Sequence, residues 1–169
     1  MIRSEQPSDA ESIREVICSA FPTPAEADLV EALRINGNLA ASLVAIENSQ
    51  VVGHIGFSRV SIQDSSNGEA IAGVGLAPLA VTPSYQKRGI GGQLIGAGLD
   101  ACRGSQIDFV VVLGEPDYYQ RFGFTTASGL GLKNEYGVDT EFMAMELTES
   151  CLTSAGGTVQ YSSEFQAFS

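Results

Sequence analysis

Seven consecutive residues carry most of the chemistry legible in this chain: Gln86, Lys87, Arg88, Gly89, Ile90, Gly91 and Gly92. An apolar run over 74–81 precedes them and a helical pattern begins at Ile90, so they form a strand-to-helix turn. The first N–H groups of a helix have no intrahelical partner, and the helix dipole adds positive partial charge there, so an anion is stabilised. Gly89 and Gly91 lack a Cβ, which permits positive φ and lets the main chain come close to a ligand. Lys87 and Arg88 add cations, the arginine with a planar fork that suits phosphate oxygens. The pattern is that of a pyrophosphate cradle. Two nucleotide fingerprints do not fit: the third glycine of G-x-G-x-x-G would fall on Leu94, and no G-K-[ST] follows a glycine at the Walker spacing. The glycines alone leave open an ordinary turn that only caps a helix.

The wider context makes the turn specific. The run Leu76-Ala77-Pro78-Leu79-Ala80-Val81-Thr82-Pro83-Ser84-Tyr85-Gln86-Lys87-Arg88-Gly89-Ile90-Gly91 resembles the acetyl-CoA-binding core of the GNAT superfamily of N-acetyltransferases. That signature is Q/R-x-x-G-x-G/A after a strand, and Gln86, Gly89 and Gly91 fill it. A later run, Val110-Val111-Val112-Leu113-Gly114-Glu115-Pro116-Asp117-Tyr118-Tyr119-Gln120-Arg121-Phe122-Gly123-Phe124, resembles the strand, short helix and closing strand of the same family. Both runs are most similar to its YhbS-like branch, and the resemblance covers roughly residues 1–147.

The resemblance implies an α/β fold, a central mixed sheet of about seven strands flanked by helices and splayed between its two central parallel strands. Pantetheine would lie in that opening, held by main-chain groups of Leu79, Ala80 and Val81, with the pyrophosphate on Gln86, Lys87, Arg88, Gly89, Ile90, Gly91 and Gly92. It implies an acetyl-CoA-dependent enzyme acting on a primary amine of a small molecule or a protein, with a homodimer as a common state of the fold. Tyr119 matches the tyrosine that faces the cofactor sulfur and would assist the leaving thiolate. Tyrosine and alkyl thiol reference pKa values of about 10 and about 8.5 make full proton transfer uphill by about 2 kcal/mol, so a hydrogen bond that strengthens as the thiolate forms describes the role better. The family's usual asparagine after the central parallel strand is not visible around Gly114 and Glu115.

The general base is less legible. Glu115 ends a predicted central strand, Glu69 opens the predicted strand before the cradle, and His54 sits in the strand before that; ordered water is a fourth candidate. His54 reads as a satisfied structural residue rather than a base. The missing base also motivates an alternative of another class, a non-catalytic acyl-CoA sensor or interaction module.

The elements that must position these groups follow from periodicity. Ile2 and Arg3 begin a first strand ended by Pro7, and Ser8 to Glu11 read as a capping box before a helix carrying Ile13, Val16, Ile17, Ala20 and Phe21. Thr23 to Glu26 read as a second box, with Leu29, Val30 and Leu33 as the buried stripe and Asn36-Gly37 as the stop. Strands are predicted over 42–46 and 51–62 as a hairpin, then over 70–81 after a turn at 64–68, over 108–113, and last over 141–147. Pro78 cannot donate to a ladder, which predicts a bulge or the end of pairing. The helix from Ile90 should bury Leu94, Ala97 and Ala101 with Ile95, Leu99 and Cys102, and its glycines at 92, 96 and 98 call for close packing or a nearby ligand. One domain over 1–147 is expected, followed by a C-terminal extension, 148–169, packed on it or on a partner.

Composition sets the remaining bounds. With 44% hydrophobic and 17% charged residues the chain suits a packed globular domain. A net charge of −11 repels nucleic acid and anionic membranes and favours a cationic acceptor, which Glu26, Asp28 and Glu31 could draw in, although a solvated helix face accounts for them more simply. Cys18, Cys102 and Cys151 read as buried thiols of a cytoplasmic protein. One histidine supports no metal site, and no apolar run reaches membrane-spanning length.

Overall fold

Each predicted helix forms where an apolar stripe meets a start signal, although the signals act one step away from where the sequence puts them. In the computed structural model, which describes residues 1–63, 71–152 and 156–167, strand β1 (Ile2–Ser4) leads through a single 3-10 turn, Pro7–Asp9, into helix α1 (Ala10–Ala20). The box predicted at Ser8 to Glu11 lies earlier: Asp9 reaches back to accept from the Gln6 backbone N–H at 2.7 Å and pairs bidentately with Arg3 at 2.7 and 3.1 Å. Helix α2 (Ala25–Ile35) starts just after Pro24, whose carbonyl accepts from Asp28 N–H at 2.9 Å, and ends before Gly37 at φ +75°. The hairpin forms as predicted, β2 (Leu39–Glu47) antiparallel to β3 (Gln50–Gln63), with positive φ at both Asn48 and Ser49 as a two-residue primed turn requires.

The chain divides into two compact units, Met1–Ser58 with Ala77–Ala101 and Ser163–Ser169, and Arg59–Leu76 with Cys102–Ser162, so β3 and β4 (Gly73–Val81) contribute to both. In the first unit the strand order is β1-β2-β3-β4. One sheet face is covered by α1 and α2, where Ile13, Val16, Ile17, Ala27 and Val30 close on Val44 and Ala80. The other face meets α3 (Ile90–Gly104): a Cβ on Gly53 would stand 3.0 Å from Leu94, and one on Gly98 would stand 2.4 Å from the buried Phe57 ring. Burial of each such Val, Ile, Leu or Phe side chain contributes about 1.5–3 kcal/mol. Leu94, Ile95, Leu99 and Cys102 are buried as expected, whereas Ala97 and Ala101 are half-buried, because the stripe centres on Gly98 against Phe57. Of the predicted close approaches, Gly98 makes one and Gly96 does not, having open space where its Cβ would be.

In the second unit β4 runs parallel to β5 (Phe109–Leu113), which pairs antiparallel with β8 (Phe142–Glu146), and β8 pairs with β6 (Thr125–Thr126). The β4–β5 register covers three pairs, Gly73↔Phe109 to Gly75↔Val111, and ends before Pro78, which lacks the N–H a ladder needs. The residues after 147 add a strand that the sequence did not suggest. It is β9 (Gly157–Tyr161), which pairs with the end of β3 and with β7 (Leu132–Asn134). With the short β1, β6, β7 and β9 the described residues hold nine strands where about seven were expected, in the mixed sheet the sequence predicts. The predicted turn at 64–68, the first part of the predicted strand over 70–81, and Glu69 lie outside the described residues.

Candidate active site

Everything expected to bind the cofactor falls in the first unit. Leu79 and Val81 are half-buried and Ala80 is buried on the α1–α2 face. At the end of β4, Thr82 N–H donates to Val52 carbonyl at 2.8 Å, which fixes where the strand stops. A 3-10 turn, Pro83–Tyr85, follows, and Gln86 folds its side-chain amide back to donate to Val81 carbonyl at 2.9 Å. Gln86 therefore clasps the turn rather than pointing outward. Lys87 takes φ +65° and Gly89 φ +82°, while Gly91, where a positive φ was also permitted, lies within the first turn of α3. The first helical bond runs from Gln93 N–H to Gly89 carbonyl at 3.0 Å, so the amides of Ile90, Gly91 and Gly92 precede it.

Gln86, Lys87, Arg88 and Gly89 are exposed while Ile90 is buried, which anchors the turn from below and leaves its amides and cations to solvent. The Arg88 guanidinium lies 5.0 Å over the Tyr85 ring, a stack that sequence spacing did not suggest. Apart from its two chain neighbours, no described residue comes within 4 Å of the position a Gly89 Cβ would take, so the loop presents bare backbone. Free helical amides, two exposed cations and an open glycine fit a pyrophosphate.

Tyr119 belongs to the second unit, on α4 (Pro116–Gln120), and is 8% exposed. It packs edge-on against Tyr118 at 5.1 Å and Phe124 at 5.7 Å between ring centroids. Its ring also lies on the bare Cα of Gly114, where an added Cβ would approach to 2.4 Å. That contact gives a physical reason for the missing asparagine, since a side chain at 114 would displace Tyr119. Burial, and secondarily the neighbouring Tyr118, push the Tyr119 phenol up to about 12, so it remains a protonated donor.

The base candidates separate. Glu115 is exposed and starts α4, its carbonyl accepting from Tyr119 N–H at 3.1 Å. His54 is 0% exposed, and among the described residues only one of its nitrogens has a partner: Nε2 meets Ser42 Oγ at 2.8 Å, while Nδ1 is buried without one. The satisfied structural histidine that the sequence suggests is met at Nε2 and not at Nδ1. Ser42 Oγ in turn donates to Glu5 Oε1 at 2.5 Å, and Glu5 is clamped by Arg34 at 2.6 and 3.0 Å. Burial raises the Glu5 pKa, but the Arg34 and Ser42 hydrogen bonds outweigh it and hold the carboxyl below its ordinary value. Sequence reasoning missed Ser42, Glu5 and Arg34. The available signal was a serine where the strand period calls for a core side chain.

Other expectations change in detail. Asp28 and Glu31 are paired with Arg14 at 2.9 and 3.1 Å, all three side chains partly exposed. Cys18 is exposed, not buried; Cys102 is buried and Cys151 half-buried, both thiols pushed up to about 11, chiefly by burial. Among the described residues no group of acidic, histidine or cysteine side chains could hold a metal, and no helix is long and apolar enough to cross a membrane.

Comparison with known proteins shows the class of protein to which this fold belongs, the acetyltransferases. The pattern of the family described as Acetyltransferase (GNAT) domain matches residues 1–127, and the chain belongs to that family. It is 38% identical over 170 residues to the N-acetyltransferase YhbS of Escherichia coli K12, covering 99% of both chains. The crystal structure of the Escherichia coli YhbS protein in complex with CoA superposes with a TM-score of 0.93 at 37% identity, covering 100% of this chain and 93% of that one. A GNAT acetyltransferase from Brucella melitensis, solved with acetyl-CoA, gives 0.80 at 36% identity over 98% and 97% of the two chains.

Proposed function

We propose that this enzyme moves an acetyl group from acetyl-CoA to a primary amine, with Tyr119 assisting the departing sulfur. The observation that carries the reading is the turn after β4, whose positive φ at Lys87 and Gly89 presents unpaired amides of α3 beside two exposed cations. Relatives at 36–37% identity solved with CoA and acetyl-CoA support it. When bound, acetyl-CoA supplies the activated thioester. The chain supplies the rest. Main-chain groups of Leu79, Ala80 and Val81 hold the pantetheine arm, and Gln86, Lys87, Arg88, Gly89, Ile90, Gly91 and Gly92 hold the pyrophosphate through amides and charge. Oriented backbone donors of β4 stabilise developing negative charge, and fixed positioning contributes most of the acceleration.

Tyr119 acts as a hydrogen-bond donor. With its phenol at about 12 against about 8.5 for a thiol, complete proton transfer is uphill by about 5 kcal/mol, so the proton stays on oxygen and the bond strengthens as charge builds on sulfur. Thermal unfolding with saturating acetyl-CoA, with ATP and NAD as controls, tests the cofactor. Ligand at a hundredfold over Kd contributes about 2.7 kcal/mol, a rise of roughly 5–11 °C for a domain of this size. A rise with acetyl-CoA alone, followed by thiol release on adding amines, is expected; no rise removes the cradle from the function.

A further inference from the structure

With 20 acidic side chains against 9 basic ones, most cations of this chain have a carboxylate at hand. The first unit holds the basic residues Arg3, Arg14, Arg34, Lys87 and Arg88. The first three are taken up by carboxylates: Arg3 by Asp9, Arg14 by Asp28 and Glu31, and Arg34 by Glu5. Among the described residues, Lys87 and Arg88 are in no ion pair, and both lie in the cradle.

Arg88 is held by an aromatic ring instead. Its guanidinium carbon stands 5.0 Å from the centroid of Tyr85. The kind of partner matters. A carboxylate would occupy the N–H fork and cancel the charge, whereas a ring attracts the cation without neutralising it and offers no pair of oxygens to claim the fork. The ring is itself fixed in place. Tyr85 ends the 3-10 turn Pro83–Tyr85, its N–H donates to Thr82 carbonyl at 2.8 Å, and its side chain is half-buried. Gln86 ties the turn to Val81 carbonyl at 2.9 Å, Lys87 at φ +65° turns the chain back, and Ile90 is buried below. These ties run through the backbone, Gln86 and Ile90, so the turn does not depend on the Tyr85 ring for its course.

We propose that Tyr85 is a positioning residue for the cofactor: its ring holds the Arg88 guanidinium, with its charge and fork uncommitted, beside the amides of Ile90, Gly91 and Gly92, where the pyrophosphate of acetyl-CoA binds. The inference rests on the acetyl-transfer reading. A long surface side chain loses rotamer freedom when it grips an anion. Where a ring already restricts that side chain, part of the loss precedes binding, and affinity rises.

Calorimetric titration with acetyl-CoA in the absence of any amine reads affinity without turnover. Tyr85→Leu keeps an apolar side chain in the turn and removes the ring; it should weaken binding by about 2–5-fold, while Tyr85→Phe, which keeps a ring face, should restore it. Arg88→Gln should weaken binding by about tenfold or more, and adding Tyr85→Leu to it should bring no further loss, which a ring that merely packs the turn would not give. The same pattern is expected with dephospho-acetyl-CoA, which lacks the ribose phosphate and keeps the pyrophosphate. Proton NMR of the free protein reads the contact itself, since the ring current should move Arg88 side-chain resonances upfield. Resonances of Arg88 at random-coil positions overturn the proposal, whether or not Tyr85→Leu folds. So do an unchanged affinity in folded Tyr85→Leu, an equal loss from Tyr85→Leu with and without Arg88, and disappearance of the pattern with the dephospho donor. A natural chain that binds no acetyl-CoA overturns the acetyl-transfer reading and this proposal together, whereas natural binding with an indifferent Tyr85→Leu overturns this proposal alone.

Discussion

Acidification from about pH 7.5 to about pH 5 should remove about 2 kcal/mol of folding stability through His54 alone. Burial, the largest influence, depresses the folded pKa of this residue from 6.5 to about 4, with Glu5 pulling up and Arg34 pulling down. Between those values the unfolded chain binds the proton and the native chain does not, so stability rises with pH across the interval. It is complete above about 6.5 and is lost progressively as pH falls toward 4. The full difference is worth about 3 kcal/mol, of which the share between neutrality and pH 5 is about 2. Glu5 and Asp9, whose carboxyls are held below 4.5 and 3.8, act in a lower window and leave this one clean. Urea unfolding at both pH values, on the natural chain and on His54→Gln, reads the difference. A loss of less than about 0.5 kcal/mol in the natural chain, or an equal loss in the variant, refutes the reasoning, since the residue would then not be buried neutral.

Three further outcomes are expected. Gly96→Ala should stabilise by about 1 kcal/mol through helix propensity, because nothing lies near its Cβ position, whereas Gly98→Ala drives a methyl into the Phe57 ring and should cost about 1–3 kcal/mol in denaturant midpoint. Tyr119→Phe should leave the acetyl-CoA thermal shift intact and lower kcat in a thiol-release assay; undiminished kcat removes the hydroxyl from the mechanism. Gly114→Ala should disturb the same step indirectly by displacing the Tyr119 ring, visible as lower stability together with lower kcat.

Local chemistry was readable in the residue string, and the partnerships between distant residues were not. The strand-to-helix turn with Gln86, Gly89 and Ile90 is encoded within a few residues, since capping, glycine conformations and the apolar period of α3 all act at short range. The helices, the hairpin and the buried β5 were legible for the same reason. Local signals did not distinguish Gly98, which must be small because Phe57 arrives from β3, from Gly96, which faces open space. Nor did they show that the Tyr119 ring folds back on Gly114 and leaves no room for a side chain there. The strand β9 escaped notice because its ladder partners, β3 and β7, lie far away in sequence. Most plainly, Glu5, Arg34, Ser42 and His54 come from β1's end, α2, β2 and β3, and each reads alone as an ordinary surface charge, strand serine or core histidine. Hydrogen-bond geometry among them exists only once the sheet register and the docking of α2 are set.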